Sequence, residues 1–348
     1  MKKISIKTPL ALILIIIFSG FTVSAYSQDL IPFKNQMTGN LGYMDESGNK
    51  VIKAQFYKAS TFSDGIAIVS DRLSTYYINR TGTKIFESPY EIEDFSNGYG
   101  VARGNRQSYF VNNTGKIVSP VYRYAKSFSD NKAIVWIDGK VCAINKSFKV
   151  LFEIEVDPVK TGNYFGQFSN GMMPVNDINN KWGYVDNAGK LVIKPSYVFP
   201  GKFYNGRAIV QDTYGKWMVI NKIGEKNYEF EMKQHWDMPE YMSLLFKDKL
   251  IYTPKRGVIH IVSLLDNSEI EVNIAALSND YDANIRPEII GDCIFYDGKA
   301  IDLEGKIIWQ LDNFRHIESN LYGKYILIEK AYDDIHLYKY DGTEIIFP

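Results

Sequence analysis

The stretch Lys181-Trp-Gly-Tyr-Val-Asp-Asn-Ala-Gly-Lys-Leu-Val-Ile-Lys-Pro-Ser-Tyr197, continued by Phe203-Tyr-Asn-Gly-Arg-Ala-Ile-Val210, decides the fold. Trp182-Gly-Tyr-Val-Asp186 is a short aromatic-rich strand, and Leu191-Val-Ile193 is a β-branched one. Between them, Asp186-Asn-Ala-Gly189 makes a tight hairpin, in which the glycine supplies a positive φ. Pro195 is expected to end ladder pairing and bend the chain off the sheet. The Phe203-Tyr-Asn-Gly206 turn then brings it back into a third strand, Arg207-Ala-Ile-Val210.

The same marks recur outward from this copy. Asp45-Glu-Ser-Gly48, Asn79-Arg-Thr-Gly82, Asn112-Asn-Thr-Gly115 and Asn221-Lys-Ile-Gly224 repeat the hairpin turn. Gly48, Gly82 and Gly115 are 34 and 33 residues apart, and Gly189 and Gly224 are 35 apart. A second series keeps phase with the first: Phe62-Ser-Asp-Gly65, Phe95-Ser-Asn-Gly98, Phe128-Ser-Asp-Asn131 and Phe168-Ser-Asn-Gly171 precede the copy at Phe203. Two independent markers at constant phase define a tandem repeat of about 35 residues, each unit a three- or four-stranded antiparallel meander. No long segment shows helical periodicity.

These residues resemble the WG-repeat (KWG-type) family, whose unit is similar to the 181–210 copy throughout. The defining Trp-Gly pair is replaced elsewhere by Leu41-Gly42, Tyr76-Tyr77, Tyr109-Phe110, Val141-Cys142 and Trp217-Met218. The resemblance implies a repeat architecture and no common enzymatic activity. About six units are recognisable over residues 40–232. Beyond them Asp302-Leu-Glu-Gly305 and Tyr340-Asp-Gly342 repeat the turn, and Leu265-Asp-Asn-Ser-Glu-Ile270 is an eroded candidate.

A three-stranded meander cannot bury both faces alone. Stacked units form a β-propeller-like ring or an open β-superhelix, and roughly eight fit the length. The meander's strand order favours the ring. The fold class expected is therefore all-β. Trp182, the tyrosine after proline and the repeat phenylalanines are expected to pack between units. Gly183 belongs with them as a structural repeat position.

Residues 1–27 read as a secretory signal, residues 28–232 as the repeat array, and residues 233–348 as degenerate repeats with longer loops continuous with it. Lys2, Lys3 and Lys7 precede an apolar run over residues 10–18, too short for a comfortable membrane span. Val23-Ser-Ala25 and Ala25-Tyr-Ser27 both suit cleavage. An exported protein follows as the expectation, periplasmic, envelope-bound or extracellular, with no later spanning segment.

The chain has 348 residues, with 40 basic and 40 acidic side chains. Without a basic excess, an electrostatic nucleic-acid binder is not expected. Two cysteines exclude a disulfide-framed scaffold, and Cys142 and Cys293 read as buried thiols in separate strands, with a single disulfide between them as the alternative. His235, His260, His316 and His336 show no ligand spacing. Asp280-Tyr-Asp282-Ala-Asn284 starts like a calcium loop, but Ile285 replaces the glycine and Glu288 misses the closing position. No catalytic, cofactor-binding or metal-binding residues are therefore assigned, and no cofactor is expected. Insertions in repeat proteins gather on one face, so the loops carrying Trp236, Asp280, Asp282 and Asn284 are the binding candidates. The function expected is a non-enzymatic, exported repeat protein that presents a β-surface to a protein, peptide or glycan. A propeller-type hydrolase of sugars or peptides and a structural envelope component are the alternatives.

Overall fold

The computed structural model describes residues 29–345, apart from 36, 89–90, 94, 155–165, 233–242, 256, 275–286, 312–315, 322–324, 332–333 and 340. Among the described residues there is no helix, and the strands form nine antiparallel sheets in chain order. The sixth is typical: β18 (Phe199–Pro200), β19 (Arg207–Gln211), β20 (Trp217–Asn221) and β21 (Lys226–Phe230) lie side by side as a meander. Nine sheets exceed the roughly eight units expected. Six sheets precede residue 232 and three follow it, so the additional one comes from the eroded C-terminal region, where four-stranded sheets cover Ser243–Asn273, Glu288–Gln310 and His316–Ile345. In the seventh sheet strands persist without the repeat glycine because the strands stay apolar: Val258–Ser263 is buried at five of its six positions.

The sequence unit and the sheet are out of phase. Each Trp-Gly-Tyr strand and the strand after it are the last two of one sheet, whereas the Phe-x-x-Gly turn leads into the long strand that precedes the corresponding pair in the next. One repeat therefore straddles two sheets and ties them together. The fourth strands are the exposed ones; in the second sheet β7 (Lys84–Glu87) has no fully buried residue, while β5 (Ile66–Ser70) before it has three.

Ladder register corrects two of the Trp-Gly alignments. Tyr43 pairs with Ile52 and Tyr77 with Phe86, so Thr75-Tyr76 rather than Tyr76-Tyr77 occupies the Trp-Gly place. By the same spacing from the turn asparagine, Ser108-Tyr109 replaces Tyr109-Phe110. The glycine has a specific task. A Cβ on Gly183 would fall on the Ile193 carbonyl oxygen and lie 2.7 Å from the Pro195 nitrogen; on Gly42 it would lie 2.5 Å from the Ile52 oxygen. In both sheets the ladder shifts register at the glycine and the last strand runs seven residues, Lys50–Phe56 and Leu191–Tyr197. Pro195 therefore lies within its strand instead of ending it, as a proline can on an outer strand beside a bulge. In the third sheet, without that glycine, the stretch around Pro120 is reduced to isolated bridges at Ile117 and Tyr122.

Neighbouring sheets bury apolar side chains against each other. Between the fifth and sixth, Met172, Tyr184, Ile193 and Tyr197 meet Phe203, Ala208, Val210 and Ile220. The hairpin glycines lie on these junctions. A Cβ on Gly82 would meet Ile52 of the preceding sheet, one on Gly115 Phe86, and one on Gly189 Phe152. The last junction closes the circle: Ile31, Phe33 and Met44 of the first sheet pack with Tyr325, Leu337 and Ile345 of the ninth. Of the two arrangements the sequence allows, the chain adopts the propeller-like ring. Cys142 and Cys293 are buried, unbonded thiols on the fourth and eighth sheets.

Candidate functional site

Each Phe-x-x-Gly segment folds as a two-residue turn, which in four of the five copies joins the first and second strands of a sheet and at Phe168 leads into the first described strand of its sheet. Its central residues both take positive φ, as in Asp64 (+49°) and Gly65 (+80°), which is why Asp or Asn precedes Gly there. The antiparallel meander puts these turns at the same end of the ring as the Asp-x-x-Gly turns between the last two strands of a sheet. That end is called the turn face below.

The phenylalanines Phe62, Phe95, Phe128, Phe168 and Phe203 are all buried, at 1–5% exposure. The next residue is a serine in four copies, and it reaches across the junction. Ser63 Oγ donates to the Phe95 carbonyl (2.6 Å), Ser96 Oγ to that of Phe128 (2.8 Å), Ser129 Oγ to that of Phe168, and Ser169 Oγ to that of Phe203 (2.7 Å). In three of these copies the acid or amide after it also crosses the junction, whereas Asn97 donates to the Phe128 carbonyl. Asp64, Asp130 and Asn170 accept the backbone N–H of Gly98, Gly171 and Gly206, each at 2.7 Å. The motif is therefore a belt that stitches five successive turns.

The belt stops at the sixth sheet. Tyr204 stands where the serine should be, its side chain 44% exposed. In the seventh sheet the turn is Lys247-Asp248, where Lys247 has positive φ (+54°) and Asp248 does not, so its shape differs from the five before it. Asn205 reverses its role: its Nδ2 donates to the Lys247 carbonyl at 3.3 Å. Between these turns lies an open groove of about 620 Å³, lined by Ser169, Asn170, Phe203, Tyr204, Asn205, Lys247 and Asp248. Lys247 Nζ is held 2.9 Å from Asp292 of the eighth sheet.

The family model described as "WG containing repeat" matches residues 42–71, 110–140 and 182–217. The chain carries WG-containing repeats. A search of curated proteins finds no match. Among solved structures, the chain is similar to one described as a eukaryotic initiation factor, with 12% identity, TM-score 0.50, and 92% of this chain and 95% of that chain covered. It also matches BamB from Moraxella catarrhalis at 12% identity and TM-score 0.45, covering 82% of this chain and 94% of that one. A computationally designed protein, Ika8, matches at 13% identity and TM-score 0.47, covering 81% and 90%. At such identities the likeness concerns the fold alone.

Among the WG positions, Trp182 is half-buried against the fifth and sixth sheets, and Trp217 is fully buried. Tyr184 and Tyr43, two residues past the tryptophan place, donate to carbonyls of the next sheet at Gly201 (2.9 Å) and Ser60 (2.7 Å). Trp236, Asp280, Asp282 and Asn284 lie outside the described residues, as does the leader 1–27. The groove therefore arises from residues that the sequence reading passed over. Their signal was present: a tyrosine interrupts an otherwise uniform serine column.

A second cluster joins the outer strands of the sixth and seventh sheets. Glu269 accepts hydrogen bonds from Tyr228 (3.1 Å) and Tyr252 (3.0 Å) and pairs with His260. Burial works against the Glu269 carboxylate, but hydrogen bonds from His260, Tyr252 and Tyr228 outweigh it and hold its pKa below the usual range. The Tyr252 phenol is pushed up, first by burial and then by that carboxylate. An ionised Glu269 with three partners acts as a latch between sheets and is poorly set as a general acid. His336 likewise pairs with Glu344 across an outer hairpin of the ninth sheet. No group of metal-ligating side chains occurs among the described residues. No described helix is long and apolar enough to cross a membrane.

Proposed function

We propose that the protein is an exported, non-enzymatic binding protein that seats its ligand on the turn face of the ring. The observation that supports this is the interruption of the serine belt at Tyr204. Four junctions are sealed by the same hydrogen bonds, and the fifth gives them up for an exposed aromatic ring and an open groove. A junction that forgoes a bond its neighbours make has a local use for the space. Export rests on the leader at residues 1–27, whose cleavage leaves a chain beginning at Tyr26 or Gln28.

The test is binding by the cleaved chain to arrays of oligosaccharides and of peptides, with Tyr204→Ala and Asn205→Ala beside the wild type. Retention on one array that both substitutions weaken supports the reading. Failure to bind either array, or binding indifferent to both substitutions, overturns it.

A further inference from the structure

We propose that the groove at Tyr204 takes a neutral, hydroxyl-rich ligand, a short segment of polysaccharide, with the Tyr204 ring as its stacking platform. This rests on the preceding reading that the turn face binds a ligand.

Four observations lead to that chemistry. The first is the ring itself. A phenol left 44% exposed beside a groove offers a flat apolar face with a polar tip, which suits the C–H face of a sugar ring framed by hydroxyls. The second is the state of the two amides. Asn170 uses its oxygen on the Gly206 N–H, which leaves its NH2 as a donor; Asn205 uses its NH2 on the Lys247 carbonyl, which leaves its oxygen as an acceptor. A donor and an acceptor on adjacent turns match hydroxyl groups, which do both. The Asp248 carboxylate adds acceptors on the far wall.

The third observation is charge. Lys247 lines the groove but is compensated by Asp292, so the wall holds no unopposed cation for a phosphate or carboxylate. The fourth concerns the backbone. Strand addition, the mode of peptide recognition a sheet offers most directly, needs a free edge. Here the wall is a closed hairpin turn, in which Tyr204 N–H donates to the Arg207 carbonyl (2.7 Å) and Arg207 N–H to that of Tyr204 (3.0 Å). It has no ladder groups to offer. The volume, about 620 Å³, lies within the usual range for small-ligand sites.

The experiment titrates the cleaved wild-type chain with neutral glucan, chitin and mannan oligosaccharides, and separately with unstructured peptides of similar length, by calorimetry. At least one oligosaccharide is expected to bind, with an affinity that salt barely changes because no ion pair forms. Tyr204→Phe keeps the ring and should retain binding, whereas Tyr204→Ala should weaken it by about tenfold or more. Thermal melts of both variants check that the fold is intact. Absence of oligosaccharide binding, or binding that Tyr204→Ala leaves unchanged, overturns the proposal. Peptide binding alone, lost in Tyr204→Ala, overturns the glycan assignment while leaving the ligand seat in place.

Discussion

Two glycines show how differently one residue type is used. At Gly183 a side chain would run into the backbone of the neighbouring strand at Ile193 and Pro195, whereas at Gly206 nothing lies within 4 Å and only the positive φ (+79°) resists substitution. Gly183→Ala should therefore cost about 3 kcal/mol, since backbone must move, and Gly206→Ala about 1 kcal/mol, the cost of a left-handed alanine. Urea unfolding of both variants measures the difference, and equal losses would contradict the close-approach argument. The Trp-Gly pair was legible in the sequence as a recurring mark. What the glycine does was not, because its neighbour is brought near by ladder register rather than by chain proximity. Glu269 is a similar case: its partners His260, Tyr252 and Tyr228 come from three other strands, so no local spacing announced them. Its folded pKa is depressed, so its contribution is present above about 4.5, the unfolded value, and is lost as pH falls through the lower folded one. Glu269→Gln should flatten that acid limb. Melting temperatures between about pH 5 and pH 3 would show it, and an unchanged slope would remove Glu269 as the cause.

At the scale of elements, the turns decide more than the strands do. The repeat period was readable because Asp-x-x-Gly and Phe-x-x-Gly each need particular residues: a positive φ, an oxygen that accepts from the turn's own N–H groups, and a ring for the core. Asp186, for instance, accepts from Ala188 (2.9 Å) and Lys190 (3.0 Å). Strands need only apolar side chains on the buried faces, so the seventh sheet kept its shape while losing the marks, and the eighth kept only the Asp302–Gly305 turn. The belt, in turn, was hidden because each serine bonds to the next unit. Ser63→Ala should cost about 1 kcal/mol by leaving the Phe95 carbonyl without its hydroxyl donor. The reverse change, Tyr204→Ser, should rebuild the missing stitch. Leu245 holds the phenylalanine place in the seventh sheet, since Phe246 pairs with Lys249 as Ser63 does with Ile66. A serine at 204 would thus reach the Leu245 carbonyl, close the groove and raise stability by about 1 kcal/mol. Stabilisation with loss of ligand binding is the expected pair of results. A destabilised Tyr204→Ser variant would mean that the tyrosine is needed for packing.

Across the whole molecule, the decisive contact is the one between chain ends. In an open array, damage to the last unit stays local, because each repeat touches only its neighbours. In a ring the ninth sheet is also the first sheet's neighbour. Leu337 is fully buried at that seam, together with Ile31, Phe33 and Met44. Leu337→Ala removes most of a side chain from a packed junction and should cost about 3 kcal/mol. Hydrogen exchange separates the two architectures more sharply than the cost does. A closed ring should lose protection in the strands Ile31–Lys34 and Leu41–Met44 as well as in Tyr325–Ala331, although nearly three hundred residues separate them along the chain. Fraying confined to the ninth sheet, with the first unaffected, would mean that the seam carries no load and that the array behaves as an open one. The sequence left this choice open for a physical reason. Both arrangements bury the same faces within the array, and they differ only in whether the two terminal faces find each other, which no local pattern encodes.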